Sequence, residues 1–310
     1  MAIYDCFTFF NELDLLEIRL KILSPYVDFF VLVEATKTHH GIDKECIFAK
    51  NRERYKEYND KIIYICVEDD PEYKGSGDMG IENFQRNCIM RGLVDKCRPD
   101  DYIIVSDVDE IINPNILMEI TTRKIGLYAN RGSWKQKLRQ HLRIWSMASR
   151  NFLVKIKKDK FFTIDELLNY TPISLEEQYF YYFFNCRCKC TWTGAYIMKY
   201  AHMMNPQEPR ELSYQCQLPI IKNAGWHFSY LGGLEAIKLK LCSIADPNPI
   251  VEKRMLQSRD NDEYIQKCLD NGWDILGREG KQFEFEFIKD DEIGIDVISW
   301  YRERYPVFFR

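Results

Sequence analysis

Residues 100–111 read Asp100-Asp101-Tyr102-Ile103-Ile104-Val105-Ser106-Asp107-Val108-Asp109-Glu110-Ile111. A short, nearly continuous apolar run, Tyr102–Ser106, leads straight into three acids. A strand that reads this way has both faces covered, as in a parallel sheet between helices. If the backbone stays extended, Asp107 and Asp109 project to one side, where both reach a single hard cation or its waters. Carboxylates this close repel unless something positive lies between them. A solvated acidic turn at a strand end is the plainer reading, and the motif alone leaves both open.

Working outward, the preceding hundred residues alternate strand and helix signals. Ile3–Phe9, Phe29–Glu34 and Ile62–Val67 read as strands like Tyr102–Ser106. Residues 14–23, 51–58 and 81–96 read as helices. The pattern predicts an α/β chain with a Rossmann-like, parallel sheet flanked by helices. Ligands of such sheets bind beyond the carboxyl ends of the strands. That rule singles out Asn11 and Glu12, then Glu34 to Gly41, then Asp107 to Glu110. Neither GxGxxG nor GxxxxGK[ST] follows the first strand, which argues against dinucleotide oxidoreductases and P-loop NTPases.

The chain has 310 residues, 46% hydrophobic and 29% charged, with a formal net charge of -4. That is enough for one large α/β domain and argues against a surface that tracks nucleic acid throughout. No run approaches membrane-spanning length, and the N-terminus reads as a strand, not as a signal segment. Eleven scattered cysteines read as reduced thiols of a cytosol-like compartment. Cys186, Cys188 and Cys190 share one strand face without the paired CxxC of structural zinc.

Beyond Pro114 the rhythm changes to a mixed α+β half. Tyr179–Thr193, Tyr196–Met203 and Ile220–Tyr230 are strand-like, and residues 234–241 and 251–271 are helical. His227, between Trp226 and Phe228, is either a hydrogen-bonded core residue or a nitrogen ligand joining a site of oxygens. Gly225 suits a close approach of backbone or ligand. From Ile120 to Lys158 there are eleven Lys and Arg and no Asp or Glu. Trp134, Leu138, Leu142 and Trp145 recur there at helical spacing. Two readings follow: the stripe of residues 133–149 lies on an anionic membrane, or it packs onto the core.

FTFFNELDLLEIRL (7–20), VDFFVLVEATKTHHG (27–41), ENFQRNCIMRGL (82–93), DDYIIVSDVDEI (100–111) and NAGWHFSYLGG (223–233) together resemble glycosyltransferase family 17, the β-1,4-mannosyl-glycoprotein β-1,4-N-acetylglucosaminyltransferase relatives. The resemblance implies a GT-A fold across residues 1–310: a nucleotide-sugar half (1–120), the basic insertion (121–165), an acceptor half (166–245), and a C-terminal helix and tail (246–310). It implies a UDP-linked donor, UDP-GlcNAc by family habit, and inversion at the anomeric carbon. Mn²⁺ or Mg²⁺ is implied at Asp107 and Asp109 of the DxD motif, with His227 as third ligand. Asn11, Glu12, Glu34, Thr38, Gly41, Arg86 and Asp107 match donor-binding positions, whereas Glu17 and Arg19 read as structural ion pairs. Two departures stand out. The proline that usually follows the metal motif is delayed to Pro114, and residues 121–165 look like an insertion relative to compact bacterial members.

An inverting transfer needs a carboxylate base, for which Glu177 is the first choice, ahead of Glu176 and Glu211. The acceptor is expected to be a glycan, free or lipid-linked, reached from the cytoplasm with a peripheral membrane contact and no nucleic acid. Two rivals remain: a nucleotidyltransferase, although no glycine-rich basic loop follows the first strand, and a non-catalytic carbohydrate-binding protein.

Overall fold

The computed structural model describes residues 1–127, 133–147 (143–147 by backbone alone), 161–278, 280, 283–296 and 298–310. Four strands, β1 (Ile3–Phe9), β2 (Phe29–Ala35), β3 (Ile62–Val67) and β4 (Tyr102–Asp107), run parallel in the spatial order β3-β2-β1-β4. Alternate residues explain why each reads as continuously apolar. Phe7, Phe9, Phe30, Leu32 and Ile104 enter the core on one face. Cys6, Val31, Val33, Ile103 and Val105 enter that on the other. Each large apolar side chain buried this way contributes roughly 1.5–3 kcal/mol.

The same sheet continues into the second half. After β5 (Glu110–Ile112), the short strands β6 (Lys124–Gly126) and β7 (Phe161–Thr163) form a separate ribbon. β8 (Ile173–Tyr181), β9 (Cys186–Trp192), β10 (Tyr196–Lys199), β11 (Ile220–Ser229) and β12 (Phe285–Phe287) then complete ten strands in one mixed sheet among the described residues. β10 joins antiparallel to β4, β8 carries β9 and β10 antiparallel, and β11 lies parallel to β8 and antiparallel to β5.

Several predicted elements divide. The 179–193 strand is a hairpin that reverses between β8 and β9, with Tyr182 at φ +65. The 81–96 helix is two short ones, Gly80–Asn87 and Met90–Leu93. The 251–271 helix is broken between Pro249–Ser258 and Asp262–Asn271, because Asn261 caps the second piece by accepting from the Tyr264 amide at 3.0 Å.

β11 decides where His227 goes. Its pairing with β8 shifts register between Ile221 and Gly225, and Asn223 there has φ +53. Past this bulge Trp226 and Phe228 enter the core, so His227 and Ser229 face the other way. At Gly225 the close approach is made by β5: a Cβ would lie 2.3 Å from the Ile111 carbonyl oxygen.

Candidate active site

The carboxyl ends of β1 and β4, the segment after β2, and residues of β8, β9 and β11 line one cleft of about 240 Å³. It lies where a Rossmann-like sheet places ligands. Asp107 ends β4, Val108 and Asp109 form a turn, and Glu110 opens β5. One buried arginine fixes that turn. Arg19, on the core face of the helix Leu13–Leu23, donates to the carbonyls of Asp107 (2.9 Å), Val108 (3.3 Å) and Glu110 (2.6 Å). The same guanidinium takes both oxygens of Asp5 in β1, at 2.8 and 2.5 Å, and Ser106 Oγ at 2.7 Å. Arg19 is thus a structural pair, made to β1 and not to a neighbouring helix. Glu17 pairs separately with Arg54 and Arg304.

The two aspartates meet different cations. Asp107 accepts from Arg86 Nη2 at 3.0 Å, from Thr8 Oγ1 at 2.9 Å and from Arg210 Nη2. Arg210 is fully buried and also forks onto Glu110, at 2.7 and 2.9 Å. Glu110 accepts in addition from Trp192 Nε1 and from the Asp107 amide. Asp109 Oδ2 lies 2.8 Å from Lys240 Nζ and 3.5 Å from His227 Nε2. Burial pushes the Asp107 carboxyl up, but the Arg210 and Arg86 guanidiniums outweigh it and hold the group well below the usual carboxylate range. Burial likewise opposes ionisation of Asp109, and the Lys240 ammonium followed by His227 overrides it. Both acids are therefore anionic near neutral pH.

His227 lies between rings, stacked on Tyr179 at 4.8 Å and tilted against Trp192 at 4.6 Å. Its Nδ1 is buried and has no hydrogen-bond partner among the described residues. Among the described residues, no three His, Cys, Asp or Glu side chains converge as a ready-made metal cage. Asp109 and His227 do fit a divalent ion held jointly with other ligands. They offer a carboxylate oxygen and an imidazole to one space, which the Lys240 ammonium now neutralises. Asp107, the other sequence-based ligand, has its carboxylate engaged by two guanidiniums and a hydroxyl.

Of the predicted donor residues, Glu12, Thr38 and Arg86 line the cleft together with Asp107. Asn11 lines an adjoining groove that shares Glu12, Asp109 and Lys240. Glu34 is elsewhere: its buried carboxylate accepts from the Phe48 and Ala49 amides at the start of the helix Ile47–Lys50 and from Tyr64 Oη. Gly41 makes a turn with φ +73 packed against Tyr73 and is not part of the lining.

Glu177 does not reach the cleft. It lies one rung before Tyr179 on β8, fully buried, with no partner for either oxygen. Burial, then the charge of Glu110, pushes its carboxyl well above the usual range. Sealed in the sheet and outside the cleft lining, the Glu177 carboxyl is not placed to meet an acceptor there. Glu211 lies in the polar helix Gln207–Tyr214, with Gln207 Nε2 at 3.3 Å, and Glu176 is half-buried; neither lines the cleft.

Arg210, Lys240 and Asp246 escaped sequence reasoning. Arg210 lies in a polar helix with nothing to mark it, and Lys240 looks like one of several lysines on the helix Gly233–Ser243. Asp246 lines the cleft, and burial raises its carboxyl above the usual value.

Compared with known families, residues 1–124 match the model described as glycosyltransferase family 17. The match takes in β1 to β5 and with them Asp107, Asp109 and Glu110, and it supports membership of that family. No curated protein matches the chain.

Proposed function

From the match of residues 1–124 to glycosyltransferase family 17, we propose that the chain is a glycosyltransferase that transfers N-acetylglucosamine from UDP to a hydroxyl of a glycan, free or lipid-linked, with inversion. One observation carries this reading: Asp107, Asp109, Arg86, Lys240 and His227 are gathered in one cleft at the carboxyl end of β4. That gathering supplies positive charge where a nucleoside diphosphate must leave.

Glu12 and Thr38 offer a carboxylate and a hydroxyl to the ribose and base. Arg86 and Lys240 offer charge-assisted hydrogen bonds to the phosphates. Asp109 and His227 would hold Mn²⁺ or Mg²⁺, the remaining positions falling to phosphate and water. When bound, the ion supplies further neutralisation of the developing diphosphate charge. Tyr179, Tyr181, Trp192 and Tyr230 belong to the same lining, an aromatic composition suited to contacts with sugar rings.

The acceptor oxygen bonds to the anomeric carbon as the carbon–phosphate oxygen bond breaks, and UDP carries away the electron pair. Asp246 takes the hydroxyl proton. Like Glu12, it is a lining carboxylate with no ion pair among the described residues; Asp246 accepts from the Asn248 amide at 2.7 Å, and Glu12 from the Phe10 and Asn11 amides at 3.2 and 3.0 Å. A raised carboxyl pKa also suits a base better than the depressed ones of Asp107 and Asp109.

The test combines thermal shift against a panel of nucleotide sugars, with and without Mn²⁺, and assay of UDP release. A donor should stabilise the fold by mass action and be slowly hydrolysed to UDP. Pyrophosphate or a nucleoside monophosphate as product would indicate nucleotidyl transfer, and binding without turnover a lectin-like role. Undiminished turnover after Asp109→Ala would reject the site itself.

A further inference from the structure

The helix Trp134–Met147 turns its apolar stripe away from the protein. Trp134 is 71% exposed, Leu138 51% and Leu142 62%. These three recur every fourth residue and form one ridge. Among the described side chains of this helix, the buried one is polar: Gln140 is fully buried and its Nε2 donates to the Leu218 carbonyl at 2.8 Å. Gln140 lies about 200° round the helix from Leu138, so anchoring it inward necessarily points the ridge out. The structure therefore decides between the two sequence readings of this stripe in favour of an outward face. Trp145, which continues the spacing, has its side chain outside the described residues.

Cations flank the ridge on both sides. At about 100° per residue, Lys135 and Arg139 follow it on one edge, and Lys137 borders the other. Lys135 Nζ stands 5.8 Å from the Trp134 ring centroid. Residues 120–158 contain eleven Lys and Arg and no acid, in a chain of net charge -4. An exposed indole and two leucines between basic edges fit an interface that is hydrocarbon in the middle and negative at its border. A phosphodiester backbone would satisfy the cations but leave the leucines in water.

We propose that this helix is a membrane-docking element that lies in the headgroup region of an anionic lipid surface. Trp134, Leu138 and Leu142 enter the acyl boundary, while Lys135, Arg139 and their neighbours pair with lipid phosphates. The inference does not draw on the sugar chemistry, so it stands or falls separately from it.

Flotation of the full chain tests it, using vesicles of equal parts phosphatidylcholine and phosphatidylglycerol beside vesicles of phosphatidylcholine alone. The intact protein should float with the anionic vesicles and not with the neutral ones, and salt should weaken the binding. Trp134→Ser with Leu138→Ser and Leu142→Ser, and separately Lys135→Glu with Arg139→Glu, should each lower binding by about tenfold or more. Circular dichroism would confirm that both variants remain folded. No flotation of the intact protein, or equal flotation of the serine variant, would overturn the proposal. So would equal binding to neutral vesicles. A lipid-free dimer lost in the serine variant would overturn it too, by showing that the ridge covers a second copy of this chain.

Discussion

The ammonium of Lys240 lies 2.8 Å from Asp109 Oδ2, the same oxygen that faces His227 Nε2 at 3.5 Å. A lysine from the helix Gly233–Ser243 thus supplies the charge that a cation between Asp109 and a diphosphate would supply. Two positive charges cannot share that space at full strength, so the proposed ion would compete with the lysine until phosphates arrived. Replacing Lys240 by Met should tighten Mn²⁺ binding without donor by ~10-fold, about 1.4 kcal/mol, while lowering transfer. Mn²⁺ titration followed by electron paramagnetic resonance reads the first effect directly. Unchanged or weaker Mn²⁺ binding would show that the two do not compete.

Arg210 offers a different kind of prediction, because it is sealed in together with one partner, Glu110. With Arg210→Met, the Glu110 carboxylate stays buried and loses its counter-charge. Removal of one partner from a buried pair costs roughly 3–5 kcal/mol. Urea denaturation should show that loss, and adding Glu110→Gln should recover part of it by removing the orphaned charge. A double variant as unstable as the single one would mean that Arg210 acts through packing alone.

Glu177 should behave in the opposite sense. Its folded pKa lies above its unfolded one, so its contribution is most favourable below the ordinary carboxyl range and is lost as pH rises towards the folded value. Glu177→Gln keeps the shape and removes the titration. The variant should be more stable than the native protein at pH 7 by up to ~3 kcal/mol, with the difference vanishing near pH 4. Transfer activity should persist. A pH-independent difference, or a loss of stability, would contradict a neutral buried acid at this position.

For Asp246 the readout is kinetic. If it accepts the acceptor proton, Asp246→Asn should lower kcat by about 10²–10⁴ and leave donor binding nearly unchanged. In the native protein kcat/KM should fall on the acid side as this carboxyl protonates, and the limb should disappear in the variant. An acid limb that survives in Asp246→Asn assigns the base elsewhere.

Asp107 and Asp109 give the complementary stability profile. Their folded pKa values are depressed, so the stability they contribute is present above about pH 4 and is lost as the solution becomes more acid. Asp107→Asn should flatten that acid limb in a series of urea titrations. A limb unaltered by the substitution would indicate that the Arg86 and Arg210 pairs do not survive in solution.

The parallel half of the sheet was legible because each strand's two faces enter two cores, which leaves an uninterrupted apolar run in the sequence. The cleft was legible from a topological rule that names the ends of strands and not particular side chains. That rule brought in Glu12, Thr38, Asp107 and Asp109, while Arg86 entered through the family resemblance; the rule also brought in Glu34, which sits at a strand end but turns to hold the amides of Phe48 and Ala49. The second half was less legible, since its strands reverse at a tyrosine with φ +65 and not at a glycine or proline.

By itself the sequence determined the succession of the four parallel strands β1 to β4, the acid motif that ends β4, and the charge asymmetry of the basic segment, all of which are local or periodic properties. Only the tertiary structure decided which cations neutralise those acids, that Glu177 is sealed away, and which way the Trp134 stripe points. The reason is distance along the chain. Arg210 and Lys240 reach Asp107 and Asp109 across more than a hundred residues, and Gln140 anchors on Leu218. No spacing rule encodes partners that meet only when the sheet closes.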